Sequence, residues 1–285
     1  EDEVFVVSTD PITGTVRDTG TLAVHVTAND LASAGAEPVA VLVSALLPAG
    51  TEETEIRELM RQMEAACETL HMEIAGGHTE ITRAVNQPVL TVTGIGRVKR
   101  SRMITTGGAK PGQDVVVSKW IGLEGTSIIA KEKETELLTR FPAHMIETAK
   151  GFDRYLSIVP EAATAGKSGV SAMHDVTEGG IFGALWELAE RSGVGLEIDW
   201  KRIPVRQETI EICEFFEINP YELISSGSLL MVTDDGFGLV RELEAVHIPA
   251  AVIGKVREGN DRIVINGEER RFLEPPKTDE LYRVI

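Results

Sequence analysis

The chain has 285 residues, 42% of them hydrophobic and 26% charged, with a formal net charge of −17. That length and balance fit a soluble globular protein with room for two compact domains, each with a sizeable core, or one large one. The acid excess argues against a binder of nucleic-acid backbones, which relies on clustered Lys and Arg, and no apolar run approaches the roughly 18 residues of a membrane span. No signal-peptide pattern opens the chain. Cys67 and Cys213 are the only cysteines and lie far apart without metal-type spacing, so neither a disulfide framework nor a structural zinc site is expected, and a reducing cytoplasm is. The first residue is Glu1 rather than Met, which leads to the expectation that the sequence begins inside a gene product.

Hydrophobic periodicity switches repeatedly between two and about 3.6 residues, the pattern of a mixed α/β protein. A strand is predicted over 4–7, ending in Ser8-Thr9-Asp10, and a helix from Asp18-Thr19-Gly20 that stops near Gly35 and Pro38. A long apolar strand over 39–47 precedes the clearest helix. Thr51 is its expected cap, Glu52, Glu53 and Glu55 suit its positive end, and Ile56, Leu59, Met60, Met63, Cys67 and Leu70 form one stripe. Ile74 leads to Gly76-Gly77-His78-Thr79-Glu80, and 89–98 reads as another strand. The turn formers and missing apolar period at 105–112 mark a domain boundary, giving expected domains of 1–108 and 109–285. Beyond it the pattern predicts a strand over 114–118, helical regions around 127–138 and 142–155, and a helix carrying Ile181, Leu185 and Leu188. A helix near 208–216, a turn at 225–228, a strand over 229–233, a helix near 237–246 and terminal strands complete the chain.

Four polar constellations sit at the ends of these elements. In His174-Asp175-Val176-Thr177-Glu178-Gly179-Gly180, an acid, a hydroxyl and a glycine pair precede an apolar helix. Unpaired N–H groups, the dipole and glycine-permitted close approach suit a phosphate there, with Asp175 holding a divalent metal; an ordinary N-cap is the plainer alternative. Asp10 follows an apolar strand, where an acid faces either a ligand crevice or its own turn. Asp30 follows Val26 by four residues and shares its helix face, so its carboxylate needs a metal, an Arg or a cap. Gly76-Gly77-His78-Thr79-Glu80 offers a bendable backbone beside an imidazole, a hydroxyl and a carboxylate, or a solvated surface turn. Lys119 and Trp120 divide similarly: phosphate contact or solvated Lys, pocket wall or packed aromatic.

In this order and spacing the peptides resemble the aminoimidazole-ribonucleotide-synthetase superfamily of ATP-dependent enzymes, which includes selenophosphate synthetase, thiamine-monophosphate kinase and the hydrogenase-maturation dehydratase. The resemblance is carried by Ser8-Thr9-Asp10, the helix ending Ala28-Asn29-Asp30-Leu31-Ala32, Gly76-Gly77-His78-Thr79, Thr93-Gly94-Ile95-Gly96, Ala109-Lys110-Pro111-Gly112, Asp175 to Gly180 and Ser226-Gly227-Ser228. It implies a two-domain α/β fold, an N-terminal domain that forms a homodimer through a shared sheet or barrel, a C-terminal α/β domain, and a cleft for ATP and Mg²⁺. By the same resemblance Asp10, Asp30 and Asp175 match metal-site acids. Asn29, Gly76, Gly77, Thr79, Thr177, Gly179 and Gly180, with Asp10, match nucleotide contacts, and Asp175 and His78 stand at catalytic positions.

Two departures qualify the match. The family's glycine-rich segment with Gly-Asp-Asp-type acids would precede Glu1. The end, Glu280-Leu281-Tyr282-Arg283-Val284-Ile285, keeps a Glu-Leu-x-Arg frame but has Ile285 where the hydrogenase-maturation dehydratase carries a reactive Cys, so thiocarboxamide chemistry on this tail is not expected. The resulting expectation is a cytoplasmic homodimer that uses Mg-ATP to phosphorylate or activate an oxygen of a small metabolite. The alternatives are a non-catalytic nucleotide-binding regulator or maturation accessory, and a carbamoyl-transfer accessory with a cysteine tail beyond residue 285.

Overall fold

The computed structural model describes residues 2–13 and 18–285, which form two compact units, Glu1–Met103 and Ile104–Ile285. In the first, β1 (Glu3–Ile12), β2 (Glu37–Pro48), β3 (Glu73–Thr82) and β4 (Val89–Lys99) make a sheet of order β1-β4-β2-β3. β4 pairs antiparallel with β1 and β2, while β3 runs parallel to β2. A parallel neighbour needs a crossover, and α2 (Glu53–Thr69) provides it. α1 (Thr19–Ser33) joins β1 to β2 and packs on β4, β1 and α2.

Side-chain size sets how closely α1 approaches the sheet. A Cβ on Gly94 would stand 2.5 Å from Thr27 Cγ2 and 2.9 Å from Leu31 Cδ1, so the Thr93-Gly94-Ile95-Gly96 peptide is a seat for α1. Leu90, Val92, Gly94 and Val98 form the helix-covered face of β4. The opposite face of the sheet is open in the single chain, with Phe5 77%, Val7 61% and Leu42 41% exposed.

Three local expectations change. β1 runs on through Asp10, which pairs with Val92, because pairing with β4 outweighs the polar character of Ser8-Thr9-Asp10. The Gly76–Glu80 peptide is the interior of β3, in register with Leu42–Leu46 of β2, not a turn. Thr51 does not cap α2: its hydroxyl donates to the Pro48 carbonyl, and Glu52 is the cap, in a reciprocal box with Glu55.

The second unit is built on a seven-stranded sheet of order β11-β10-β7-β9-β5-β8-β6. Its strands are β5 (Asp114–Ser118), β6 (Ala172–Val176), β7 (Gly195–Asp199), β8 (Ser228–Thr233), β9 (Ala250–Arg257), β10 (Arg262–Asn266) and β11 (Glu269–Phe272). All pairings are antiparallel except β10 with β7. The helices are α3 (Leu123–Glu132), α4 (Glu134–Leu137), α5 (Ala143–Lys150), α6 (Val159–Lys167), α7 (Gly180–Ser192), α8 (Gln207–Phe215) and α9 (Gly236–Ala245).

β5 and β8 are buried along their whole length, as central strands with both faces covered should be. Ile181, Leu185 and Leu188 of α7 join Val115, Val117, Leu230 and Val232 in the main core. Cys67 and Cys213 are buried and unpaired with each other, and burial pushes their thiols up to about 11 and about 12, which leaves them inert core groups. Among the described residues no helix is long and apolar enough to cross a membrane.

Candidate functional site

In the first unit, strand alternation and one helix put two carboxylates, Asp10 and Asp30, on the helix-covered side of the sheet, Asp30 against Ser8. Ser8 and Asp10 are two residues apart on β1, hence on one face and about 7 Å from each other. Their partners Gly94 and Val92 place them on the helix-covered side. The Ser8 hydroxyl donates to Asp30 Oδ2 on α1 at 2.5 Å. Asp10 Oδ2 is buried and accepts no hydrogen bond from the described residues. An orphaned carboxylate oxygen is costly in an apolar setting and fits a cation that brings its own charge. Two carboxylates plus water and phosphate oxygens are an ordinary Mg²⁺ environment; among the described residues no cluster of three or more acids, His or Cys converges into a protein-only cage. Asn29 is buried beside Asp30 on α1.

β3 carries the other residues of this unit singled out by the sequence. Gly76, Gly77, His78 and Thr79 are all exposed on this edge strand. His78 Nε2 lies 3.7 Å from Glu80 Oε2. The two glycines differ: a Cβ on Gly76 would meet only Leu42 Cδ2 at 3.6 Å, whereas Gly77, at φ 152°, has room for none, the Val43 carbonyl oxygen being 1.9 Å from where it would sit. Gly77 is fixed by pairing with β2; Gly76 leaves open backbone.

In the second unit, β6 delivers His174 and Asp175 to the start of α7. Asp175 is buried and pairs with Leu229 of β8. His174 Nε2 lies 2.8 Å from Glu187 Oε2, and its Nδ1 lies 3.7 Å from Asp175 Oδ1. Burial disfavours its charged form, yet hydrogen bonds and attraction from Asp175 and Glu187 outweigh burial and raise the imidazole to about 9. It is therefore a cation at neutral pH, set beside Asp175.

The turn at residues 177–180 is held by its own backbone and by its neighbours. The Thr177 carbonyl accepts from the Gly180 and Ser225 amides. Gly179, at φ 76°, is the left-handed cap of α7. A Cβ on Gly180 would sit 2.5 Å from the Tyr221 carbonyl oxygen, so packing alone demands glycine there. The Gly179 amide, expected to receive phosphate, donates to Asp279 Oδ2 at 2.7 Å.

Family models complete the assignment. The model for the N-terminal domain of AIR synthase related proteins matches residues 1–98, and that for their C-terminal domain matches residues 110–266. The chain belongs to the AIR synthase-related family. Among its relatives are a protein named for hydrogenase expression and formation in Methanocaldococcus jannaschii, 27% identical over 273 residues that cover 94% of this chain and 79% of that one. Another is carbamoyl dehydratase HypE of Rhizobium leguminosarum bv. viciae, 30% identical over 245 residues, 83% of this chain and 67% of the relative. A crystal structure of hydrogenase maturation protein HypE in complex with ATP superposes with a TM-score of 0.86 at 22% identity, covering 99% of this chain and 87% of that one. The two-domain α/β architecture is thus that of the AIR synthase-related fold.

A further constellation lies at the start of α3, between the strand expected over 114–118 and the helical region expected around 127–138. Glu124 is the second residue of α3 and is only 4% exposed. Burial pushes its carboxyl up to about 7, against hydrogen bonds from the Ser226 hydroxyl and amide that favour the charged form, and the charges of Asp279 and Glu178 push the same way as burial. Glu124 Oε2 accepts no hydrogen bond. The only sequence sign was an acid just inside a glycine-started helix, Gly122-Leu123-Glu124. Lys119 proves to be neither a phosphate contact nor a solvated Lys. Its Nζ is buried on the Tyr155 and Ser157 carbonyls and 2.6 Å from Glu161. Trp120 is a packed aromatic, edge-on to Tyr155 with Arg206 stacked over it.

Proposed function

We propose that this chain binds ATP with Mg²⁺ and uses it to activate an oxygen of a small metabolite by phosphoryl transfer. The observation that carries the reading is the Asp10–Ser8–Asp30 arrangement, in which a buried carboxylate oxygen has no hydrogen-bond partner among the described residues, in a chain similar in fold to a protein crystallised with ATP. Asp10 and Asp30 hold the metal in the first unit. Asp175 is the metal-site acid of the second, and Thr177, Gly179 and Gly180 meet phosphate through the hydroxyl and the start of α7, where phosphate would take the Gly179 and Gly180 amides over from Asp279 and the Thr177 carbonyl. Asn29, Gly76, Gly77 and Thr79 complete the nucleotide contacts, Gly76 by its open backbone.

Bound Mg²⁺ would supply neutralisation of triphosphate charge. The protein's own part is positional: α1 and β1 fix the first pair of acids, and β6 fixes Asp175, with the His174 cation beside it. His78, exposed on β3, is free to reach an acceptor group. Positioning and electrostatics account for most of such a transfer. The exposed apolar residues on the open face of the first sheet, Phe5, Val7 and Leu42, form a patch of the kind that marks an interaction surface, and it covers itself in a homodimer. Titration with ATP, with and without Mg²⁺, tests the reading: Mg²⁺-dependent binding is expected, and none would refute it.

A second reading, a non-catalytic nucleotide-binding dimer that assists maturation of another protein, is favoured by one observation. The Gly179 amide is already filled by Asp279. Substrate-dependent ADP release that disappears in Asp175→Asn, with the fold intact, would eliminate it.

A further inference from the structure

The C-terminal segment closes over the start of α7 through polar contacts. Asp279 accepts from the Gly179 amide at 2.7 Å and from the Leu281 amide at 2.8 Å. The Tyr282 hydroxyl donates to Glu178 Oε1 at 2.9 Å, and the Asn219 amide donates to Glu280 Oε2 at 3.1 Å. Pro276 lies against the positions where Gly179 and Gly183 lack side chains, 3.3 and 3.6 Å from a Cβ placed there. The segment thus brings a buried carboxylate, Asp279, toward two others that belong to the body of the unit, Glu124 and Glu178.

Three carboxylates in one place do not all ionise without cost. Glu124 and Asp279 are both buried, 4% and 3% exposed, and one Glu124 oxygen has no hydrogen-bond partner among the described residues. A buried carboxyl with an unfilled oxygen is more comfortable protonated. We propose that the C-terminal segment Asp279–Ile285 is a proton-controlled latch: it docks over residues 177–180 when Glu124 is protonated and loosens when Glu124 ionises.

The charged groups that face Glu124 act in the same direction. Glu178 from the turn before α7 and Asp279 from the segment disfavour its negative charge, and the Tyr282 hydroxyl feels that charge in turn. Ser226 donates to Glu124 and offsets part of this. The elements packed on α3 use their charges elsewhere: Lys131 with Asp153, Lys150 with Glu134 and Glu147, and Arg206 with Glu208 at the start of α8. The dipole at the start of α3 favours the anion by well under the cost of full burial, and burial wins, placing the carboxyl at about 7.

The sign follows from linkage. Glu124 titrates higher in the docked state, where Asp279 adds its charge and the segment excludes water, than in the released state. Docking is therefore strongest at pH values below the released-state pKa, weakens as pH rises from there to about 7, and is flat above. Each pH unit between the two titration points changes the opening constant about tenfold. On the functional reading above, which this one consequence rests on, opening also frees the Gly179 amide for phosphate.

Hydrogen exchange at the Gly179 and Leu281 amides, expressed as protection relative to the unfolded-chain rate, tests the latch without nucleotide. The intact chain is expected to lose protection at both amides between pH 5.5 and pH 8, by up to about tenfold for each pH unit that separates the docked and released titration points, and Glu124→Gln to keep it at pH 8. Equal protection of the intact chain at the two pH values, or a loss in Glu124→Gln matching that of the intact chain, overturns the proposal. Should Glu124→Gln fail to fold, Asp279→Asn serves instead. It keeps an acceptor for the Gly179 amide but removes the facing charge, so its pH dependence should shrink; an unchanged dependence overturns the proposal.

Discussion

The amide of Gly179 donates to the carboxylate of Asp279 at 2.7 Å, across 100 positions of sequence. The bond gives the first turn of α7 an anion from the chain itself, and it anchors the C-terminal segment at a place where helix N–H groups would otherwise need water or a ligand. Replacing Asp279 by Ala removes an acceptor for the Gly179 and Leu281 amides. Equilibrium denaturation should register a loss of about 1–3 kcal/mol, with the amides of residues 281–285 losing exchange protection first. An unchanged midpoint would mean that the segment contributes nothing to the fold.

His174 makes stability depend on pH. Its imidazole rises from 6.5 to about 9 because Asp175 and Glu187 outweigh its burial. A raised histidine contributes fully below the unfolded value near 6.5, and that contribution is lost as pH climbs through about 9. Thermal unfolding of the intact chain should weaken between pH 6.5 and 9.5 by up to about 3 kcal/mol, and His174→Gln should flatten that window. A variant with the same slope as the intact chain would assign the pH dependence to other groups.

Gly76 and Gly77 are adjacent, yet they should respond oppositely to the same change. A Cβ at 77 runs into the Val43 carbonyl oxygen at 1.9 Å, while one at 76 meets an ordinary contact with Leu42. Gly77→Ala should cost at least about 2 kcal/mol, with local loss of exchange protection in β3. Gly76→Ala should stay within about 0.5 kcal/mol of the intact chain and weaken only nucleotide binding. Equal stability of the two variants would contradict the assigned register of β2 and β3.

Phe5 and Val7 report on assembly. Both point outward from the open face of the first sheet. Phe5→Glu should convert a dimer into a monomer in sedimentation, without lowering the melting temperature of the second unit. A dimer that survives Phe5→Glu would place the contact elsewhere.

The legible parts of this chain were those set by local pattern. Helix periodicity located α1, although its buried side runs through Ala23, Val24, Thr27, Ala28 and Leu31 and leaves Val26 and Asp30 half-buried, and the apolar stripe through Met63 and Cys67 located the inner side of α2. Pairing between distant strands was not legible. Ser8-Thr9-Asp10 looked like the end of a strand and Gly76-Gly77-His78 like a turn, because local polarity and glycine content say so. The ladders to β4 and β2 override both. The same reason hid the second constellation: Glu124, Ser226 and Asp279 belong to three separate stretches, and nothing short of the folded sheet puts them together.

Asp10 is half-buried, and its Oδ2 is buried without a hydrogen-bond partner among the described residues; on the proposed function that oxygen is kept for a metal nucleotide. Calorimetric titration of Mg-ATP into the intact chain and into Asp10→Asn tests it most directly. Mg²⁺-dependent binding to the intact chain is expected, weakened at least about tenfold, or about 1.4 kcal/mol, in the variant, while the melting temperature stays the same or rises because an orphaned carboxylate oxygen is gone. Undiminished Mg-ATP affinity in Asp10→Asn would contradict it.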